Sequence, residues 1–284
     1  MTSDSGSSAP NDAQIRYWNG PGADDWTLAQ DRIELMLAPF DSLLLDYVGL
    51  EEGQSVLDVG CGCGSTSLAV ADVIGPDGSV IGVDVSTPML DRARIRAGRG
   101  SNINFIEADA QTTDFKSLGV DHIVSRFGVM FFDNPVAAFS NIATAGGPGA
   151  RLSFLCWRSP KLNPWFGFAG RAVRDFVELP RPDRGGPGPF AMADHEVIAG
   201  TVLGAGFADL EISEHEVEIS FGGGGEIDEL VDFAMGFGPV GRAVAGDDDQ
   251  SARARDALTS AIGELWSDRA IRFDGSCWLV QARV

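Results

Sequence analysis

A short apolar run, Val56-Leu57-Asp58-Val59, breaks into three glycines at alternate positions, Gly60, Gly62 and Gly64, and a helical pattern follows from Ser65 to Ile74. Few folds use such a segment. Glycine accepts backbone conformations that other residues resist and lets a second group approach the main chain. The start of the helix offers N–H groups with no partner inside the helix. Strand, glycine turn and helix together predict a parallel α/β sheet with a nucleotide-like ligand beyond the carboxyl end of the strand.

The pattern then repeats. Ser79 to Val83 is expected as a second strand ending at Asp84, with a helix from Pro88 to Ala97. Asn102 to Ile106 and Val120 to Ser125 are the third and fourth strands, Val136 to Ala145 a helix, and Arg151 to Trp157 a fifth strand entered through the Gly146-Gly147-Pro148-Gly149 turn. Alternation at this pitch is that of a parallel sheet with crossover helices. The second half is less regular. It is read as a helix from Pro164 to Leu179, a Pro/Gly-rich loop from Pro180 to Pro189, a helix from His195 to Gly204 and a long strand from Leu210 to Phe221. Helices near Ile227–Phe237 and Ser251–Trp266 precede a last strand, Ser276 to Val284, which makes seven strands with an antiparallel finish. Residues 1–13 are expected as a disordered tail. Residues 14–284 form one domain: a helical cap at 14–50, a core at 51–158, and insertions with the final strands at 159–284.

Charge narrows the partners. There are 41 acidic residues against 21 basic, a formal net of −20, which opposes binding to nucleic acid or to an anionic membrane. The one dense basic run, Arg92, Arg94, Arg96 and Arg99, is read as the solvated face of a helix. The four cysteines have neither disulfide-framework nor zinc spacing, so reduced thiols, no metal and a cytoplasmic location are expected. The N-terminal residues lack a signal-peptide pattern, and no apolar run approaches the ~20 residues a membrane span needs. A monomer or homodimer is expected.

Two ligands compete for the glycine loop. The dinucleotide fingerprint places a third glycine where this chain has Ser65. A carboxylate at Asp58 would repel a pyrophosphate, whereas it would attract the ammonium of S-adenosylmethionine. Asp84 is placed to accept from ribose hydroxyls, and Asp109, after the third strand, from an adenine amino group.

Val56 to Gly64 resembles the first motif of class I S-adenosylmethionine-dependent methyltransferases. Val80-Ile81-Gly82-Val83-Asp84-Val85-Ser86 with Met89-Leu90 resembles the second, and Ile106 to Ala110 and Val124 to Phe132 resemble the later ones. The chain resembles the bacterial ubiquinone/menaquinone-biosynthesis-like group of small-molecule methyltransferases, although Ala150 stands where glycine is usual in the turn before the fifth strand. The resemblance implies a Rossmann-like three-layer sandwich with N-terminal helices and a helical insertion as lid. It implies S-adenosylmethionine as cofactor, with Gly60, Gly62 and Thr66 at the methionine part and Asp84 at the ribose. Asp109 and Ala110 would flank the adenine, and Ser125, Arg126 and Phe127 would face the amino-acid end. Asp58, Cys61, Val85 and Met89 complete that set.

The acceptor must meet the methyl group at the carboxyl edge of the sheet. Tyr17, Trp18 and Trp26, then Met130 and Phe131, then Trp157 and Trp165 are the pocket candidates, and their character points to an apolar or aromatic small molecule. Transfer from a sulfonium can proceed by positioning alone, and no catalytic residue is assigned. His122, His195 and His215 fall away from carboxyl strand ends. Arg126 and Arg158 lie at such ends and fit either an acidic acceptor or scaffolding ion pairs. A non-catalytic S-adenosylmethionine-binding regulatory protein and an NAD(P)-dependent dehydrogenase are the competing readings.

Overall fold

The computed structural model describes residues 10–180 and 185–284. Its centre is a seven-stranded sheet: β1 (Ser55–Val59), β2 (Ser79–Asp84), β3 (Ile103–Glu107), β4 (Val120–Arg126), β5 (Gly146–Trp157), β6 (Ala208–Ser220) and β7 (Arg272–Arg283). The spatial order is β3-β2-β1-β4-β5-β7-β6. Only β7 runs antiparallel, pairing in that sense with both β5 and β6. The expected α/β sandwich with an antiparallel last strand is therefore the observed one. The chain order reverses direction between β1 and β4, and that switch point opens a crevice at the carboxyl edge.

Three helices, α1 (Asp12–Trp18), α2 (Pro21–Leu28) and α3 (Gln30–Val48), precede the sheet. In α3 the apolar positions Ile33, Leu37, Phe40, Leu44 and Val48 recur every three to four residues and are buried. The crossover helices α4 (Ser65–Ile74), α5 (Thr87–Ala97) and α6 (Pro135–Ala143) start where their sequence says they should. Ser86 Oγ accepts from Met89 N at the head of α5, and Asn134 Oδ1 accepts from Ala137 N at the head of α6, each followed by a proline in the first turn. Beyond β5 come α7 (Phe168–Val173), α8 (His195–Gly204), α9 (Ile227–Gly236), α10 (Pro239–Val244) and α11 (Asp248–Leu265). Strand β6 is an exposed edge whose acids Glu211, Glu214, Glu216 and Glu218 discourage pairing with another chain.

Several expectations change. The ordered chain reaches into the segment read as a tail: Asn11 is buried and Asp12 opens α1, because Asn11 bonds to Asp109 and to the Asp133 N–H. Residues 1–9 of that segment lie outside the described residues, as do residues 181–184 of the Pro180–Pro189 loop. The helix read at 164–179 is a 3₁₀ turn, Pro164–Gly167, followed by the short α7. Gly167 and Gly170 weaken that helix, and Trp165 and Phe166 both pack on Trp157 rather than following a helical stripe. Helix α10 has no counterpart in the sequence reading. Asp247, read as loop, caps α11, and Asp248 and Asp249 form its first turn, where acids favour the positive end of the helix.

No helix among the described residues is long and apolar enough to cross a membrane. The core runs continuously through both faces of the sheet. Phe139 sits at its centre, fully buried and edge-on to Phe132, Phe154 and Phe207. Phe139→Ala is expected to lower the unfolding free energy by about 3–5 kcal/mol, read from the midpoint of denaturant unfolding. A loss under about 1 kcal/mol would contradict this packing.

Candidate active site

The glycine loop is shaped by its neighbours on both sides. Gly60 N and Cys61 N both donate to Val83 O, at 2.8 and 3.1 Å, which bends the chain away from β1 toward β2. Gly60 has φ +69°, and a Cβ there would lie 2.7 Å from Gly128 Cα. Any side chain at Gly60 would thus collide with the backbone that follows β4. The turn after β4 is fixed by Ser125, whose Oγ donates to Val59 O (2.7 Å) and accepts from Gly128 N (3.2 Å).

Asp84 closes the other side. Its Oδ2 accepts from Gly62 N at 2.8 Å and its Oδ1 from Ser86 N at 2.9 Å, so the carboxylate is held flat against the loop. Burial pushes its pKa up, against the pull of those N–H groups. Each oxygen keeps a lone pair for a ligand hydroxyl. Asp109 Oδ1 accepts from Gln111 N (2.9 Å) and from Asn11 Nδ2 (3.3 Å), which draws the N-terminal segment over the end of β3. Asn19 clips the cap down further, donating to Val85 O and accepting from Thr87 N.

These elements enclose a cavity of about 640 Å³. Its walls include Gly60, Cys61, Gly62, Thr66, Asp84, Val85, Met89, Asp109, Ala110, Arg126 and Phe127 among the expected cofactor residues. They also include all seven aromatic or Met pocket candidates, Tyr17, Trp18, Trp26, Met130, Phe131, Trp157 and Trp165. Two expected residues are absent from the walls. Ser125 is buried and committed to the Val59 carbonyl. Asp58 is 1% exposed and lies behind the loop, where its Oδ2 accepts from Ser67 Oγ at 2.6 Å and its Oδ1 has no partner. The inference that Asp58 selects the ligand by direct contact is corrected: β1 turns its side chain toward α4. Burial raises the Asp58 carboxyl to about 7, opposed by the Ser67 bond and by Arg126.

Beyond Arg126 the cavity widens into an aromatic chamber. Phe127 adopts φ +62°, uncommon for a bulky residue, and lays its ring on Trp157 at 3.8 Å and 6°. Trp165 and Phe166 meet Trp157 edge-on, and Phe190 meets Phe166. From the cap, Trp18 packs against Phe131 and Trp26 against Phe237. Asp25 of α2 ion-pairs with Arg242 of α10 and accepts from Gly238 N, joining the two ends of the roof. Tyr17 lies near that pair, and burial raises its phenol above the usual range while Arg242 opposes the shift.

The basic candidates separate. Arg126 lines the cavity, and its Nη1 donates to Asp41 Oδ2 at 2.6 Å; Asp41 Oδ1 in turn accepts from Thr66. Arg158 is away from the cavity walls, paired with Glu214 at 2.9 Å and stacked over Trp278. Its role is scaffolding. His122 is buried at the opposite end of β4, and His195 and His215 do not line the cavity. Cys61 and Cys63 line it, and burial raises both thiols, Cys63 to about 12, so they stay protonated. No group of three potential metal ligands occurs among the described residues. Asn11 and Gln30 also line the cavity without having been expected there; each is brought in by the N-terminal segment and carries no local motif, whereas Ser65, another wall residue, belongs to the glycine loop itself.

A glycine loop tied down through its own N–H groups, a braced acid at the end of the second strand and a second acid, Asp109, after the third fit a ribonucleoside with an amino-acid tail. Residues 56–149 match the family described as a methyltransferase domain. Among curated proteins, one of Mycobacterium tuberculosis, itself uncharacterised, is 28% identical over 193 residues, 66% of this chain and 65% of its own length. The aklanonic acid methyltransferase DauC of Streptomyces is 32% identical over 118 residues, 41% of this chain and 54% of that protein. The ubiquinone/menaquinone biosynthesis C-methyltransferase UbiE of Coxiella burnetii is 33% identical over 138 residues, 46% and 53%. The match thus spans between about half and just under two thirds of these relatives. The YcgJ protein of Bacillus subtilis shares the fold, with a TM-score of 0.55 at 17% identity over 86% of this chain and 97% of that one. Residues 56–149, which carry β1 to the start of β5 and the glycine loop, are thus similar in sequence to a methyltransferase domain.

Asp58 makes a pH prediction. Its carboxyl titrates near 7 when folded and near 3.8 when unfolded, so between those values the folded state holds a proton that the unfolded chain has released. Stability contributed by this group falls as pH rises through that window. Asp58→Asn removes it, so the melting temperature of the variant relative to the native protein should climb from about pH 4 to pH 7. A difference that stays flat with pH would contradict the buried, protonated carboxyl.

Proposed function

We propose that this protein transfers the methyl group of S-adenosylmethionine to a small acceptor of apolar or aromatic character. The observation that carries the reading is Asp84: a carboxylate held by Gly62 N–H and Ser86 N–H on the wall of a cavity that runs on into an aromatic chamber. The methyltransferase-domain match and the two curated relatives named as methyltransferases support it.

Bound S-adenosylmethionine would supply an activated methyl group on a sulfonium. The protein's share is to orient. Asp84 would accept from the ribose hydroxyls, the Asp109 region with Ala110 would border the adenine, and the Gly60–Gly62 backbone would face the amino-acid end. The Phe127–Trp157 stack and Phe166 would hold a flat acceptor by offset and edge-on contacts, each worth about 0.5–1.5 kcal/mol. The roof of α2 and α10, tied by Asp25 and Arg242, would keep water from the reacting atoms. Placing two reactants in line in this way can supply several kcal/mol of the barrier.

Calorimetry with S-adenosylhomocysteine should give binding, and Asp84→Ala should weaken it by roughly 1.5–3 kcal/mol, the worth of hydrogen bonds to a charged group. Labelled methyl should pass to members of a panel of phenolic and quinol compounds, and Phe166→Ala should raise the acceptor KM without changing the homocysteine product's affinity. Binding of NAD in its place would overturn the reading, and binding without transfer to any acceptor would leave a regulatory protein.

A further inference from the structure

With Asp58 turned away behind the loop, the amino-acid end of the donor needs another partner, and the cavity wall offers one. Gln30, in the first turn of α3, is 3% exposed and lines the cavity close to Ser65 and Thr66. Its Nε2 donates to Glu34 Oε2 at 3.3 Å and to Ser65 Oγ at 3.4 Å. A carboxylate accepts and never donates when ionised, so Glu34 requires the NH₂ end of the amide to face it. Both hydrogens of Nε2 are then engaged, and Oε1 is the polar atom left for the cavity.

The orientation is enforced from outside the cavity by Arg96, a residue of the run expected to be a solvated helix face. The side chain of Arg96 is only 17% exposed. Its Nη2 ion-pairs with Glu34 Oε1, and its Nη1 donates to Cys63 O at 2.6 Å and to Ser65 Oγ at 3.1 Å. One guanidinium therefore grips α3, the glycine loop and the start of α4. Arg92, one turn earlier on the same face of α5, reaches Asp31 of α3 at 3.4 Å. Arg92 and Arg96 thus buckle α5 to the cap, while Arg94, paired with Asp91, and Arg99 remain on the exposed face.

We infer that Gln30 Oε1 accepts a hydrogen bond from the ammonium of the donor's amino-acid end, and that Glu34 and Arg96 are positioning residues that fix the amide for it. The inference rests on the proposed donor site. It implies a selectivity: a nucleoside thioether lacking the amino-acid tail gains nothing from Gln30.

The test compares two ligands on each protein, S-adenosylhomocysteine and methylthioadenosine, which keeps the nucleoside and the sulfur but has no amino-acid end. Gln30→Leu should weaken S-adenosylhomocysteine about tenfold or more and leave methylthioadenosine within about twofold. Glu34→Gln, which lets the Gln30 amide turn over, should show the same split at smaller size, and Arg96→Lys should restore part of what Arg96→Ala loses. Retained methylthioadenosine binding reports an intact fold, and if Gln30→Leu fails to fold, Glu34→Gln carries the same comparison. Equal losses for both ligands, or no loss for either, overturn the inference. If the native protein binds neither ligand, the donor site itself is wrong, a separate outcome.

Discussion

Two backbone N–H groups donating into one carboxylate organise the carboxyl edge of this sheet. Asp84 ends β2, and by accepting from Gly62 and Ser86 it joins the glycine loop of one βα unit to the helix start of the next. A buried acid is costly unless it is hydrogen-bonded, and here the donors are main-chain groups that the loop would otherwise leave open. The same bonds that settle the charge hold the loop in the shape that a ligand must meet. Gly60 against Gly128 adds a steric limit from the other flank, since no side chain fits between those backbones.

The roof depends on contacts between distant parts of the chain. Arg32 of α3 donates to Gly222 O and Gly224 O, and Asp25 of α2 meets Arg242 of α10. Trp26 and Phe237 pack across the same seam. Individually exposed ion pairs contribute little. The seam gains from the aromatic burial beside them, which shields the ion pair and makes the chamber apolar. The two ends of the cavity are thus walled by different chemistry, acids and main chain at one end and stacked rings at the other.

What the sequence made legible is local. The strand-glycine-helix unit, Asp84 and Asp109 after their strands and the apolar stripe of α3 each arise from neighbours within a few residues, and they stand on the elements expected of them. The Ser65 start of α4 and the His195–Gly204 helix match to the residue. The failures are long-range. Asp58 reads as a ligand-facing acid until the direction of β1 and the Ser67 hydroxyl are known. Arg96 reads as solvated until α3 is packed over it, although Arg92 and Arg96 at helical spacing opposite Asp31 and Glu34 held a trace of the pairing. The helix over 164–179 fails because Trp165 and Phe166 answer to Trp157 on β5 rather than to their own periodicity.

In the proposed complex a nucleoside donor lies across the ends of β1, β2 and β3 with its tail under α3. A crystal structure of the protein with S-adenosylhomocysteine measures that placement directly. The ribose hydroxyls should lie within hydrogen-bond distance of Asp84 and the sulfur should point toward the Phe127–Trp157 stack. Density for the ligand elsewhere, or a ribose that leaves Asp84 unengaged, would contradict it.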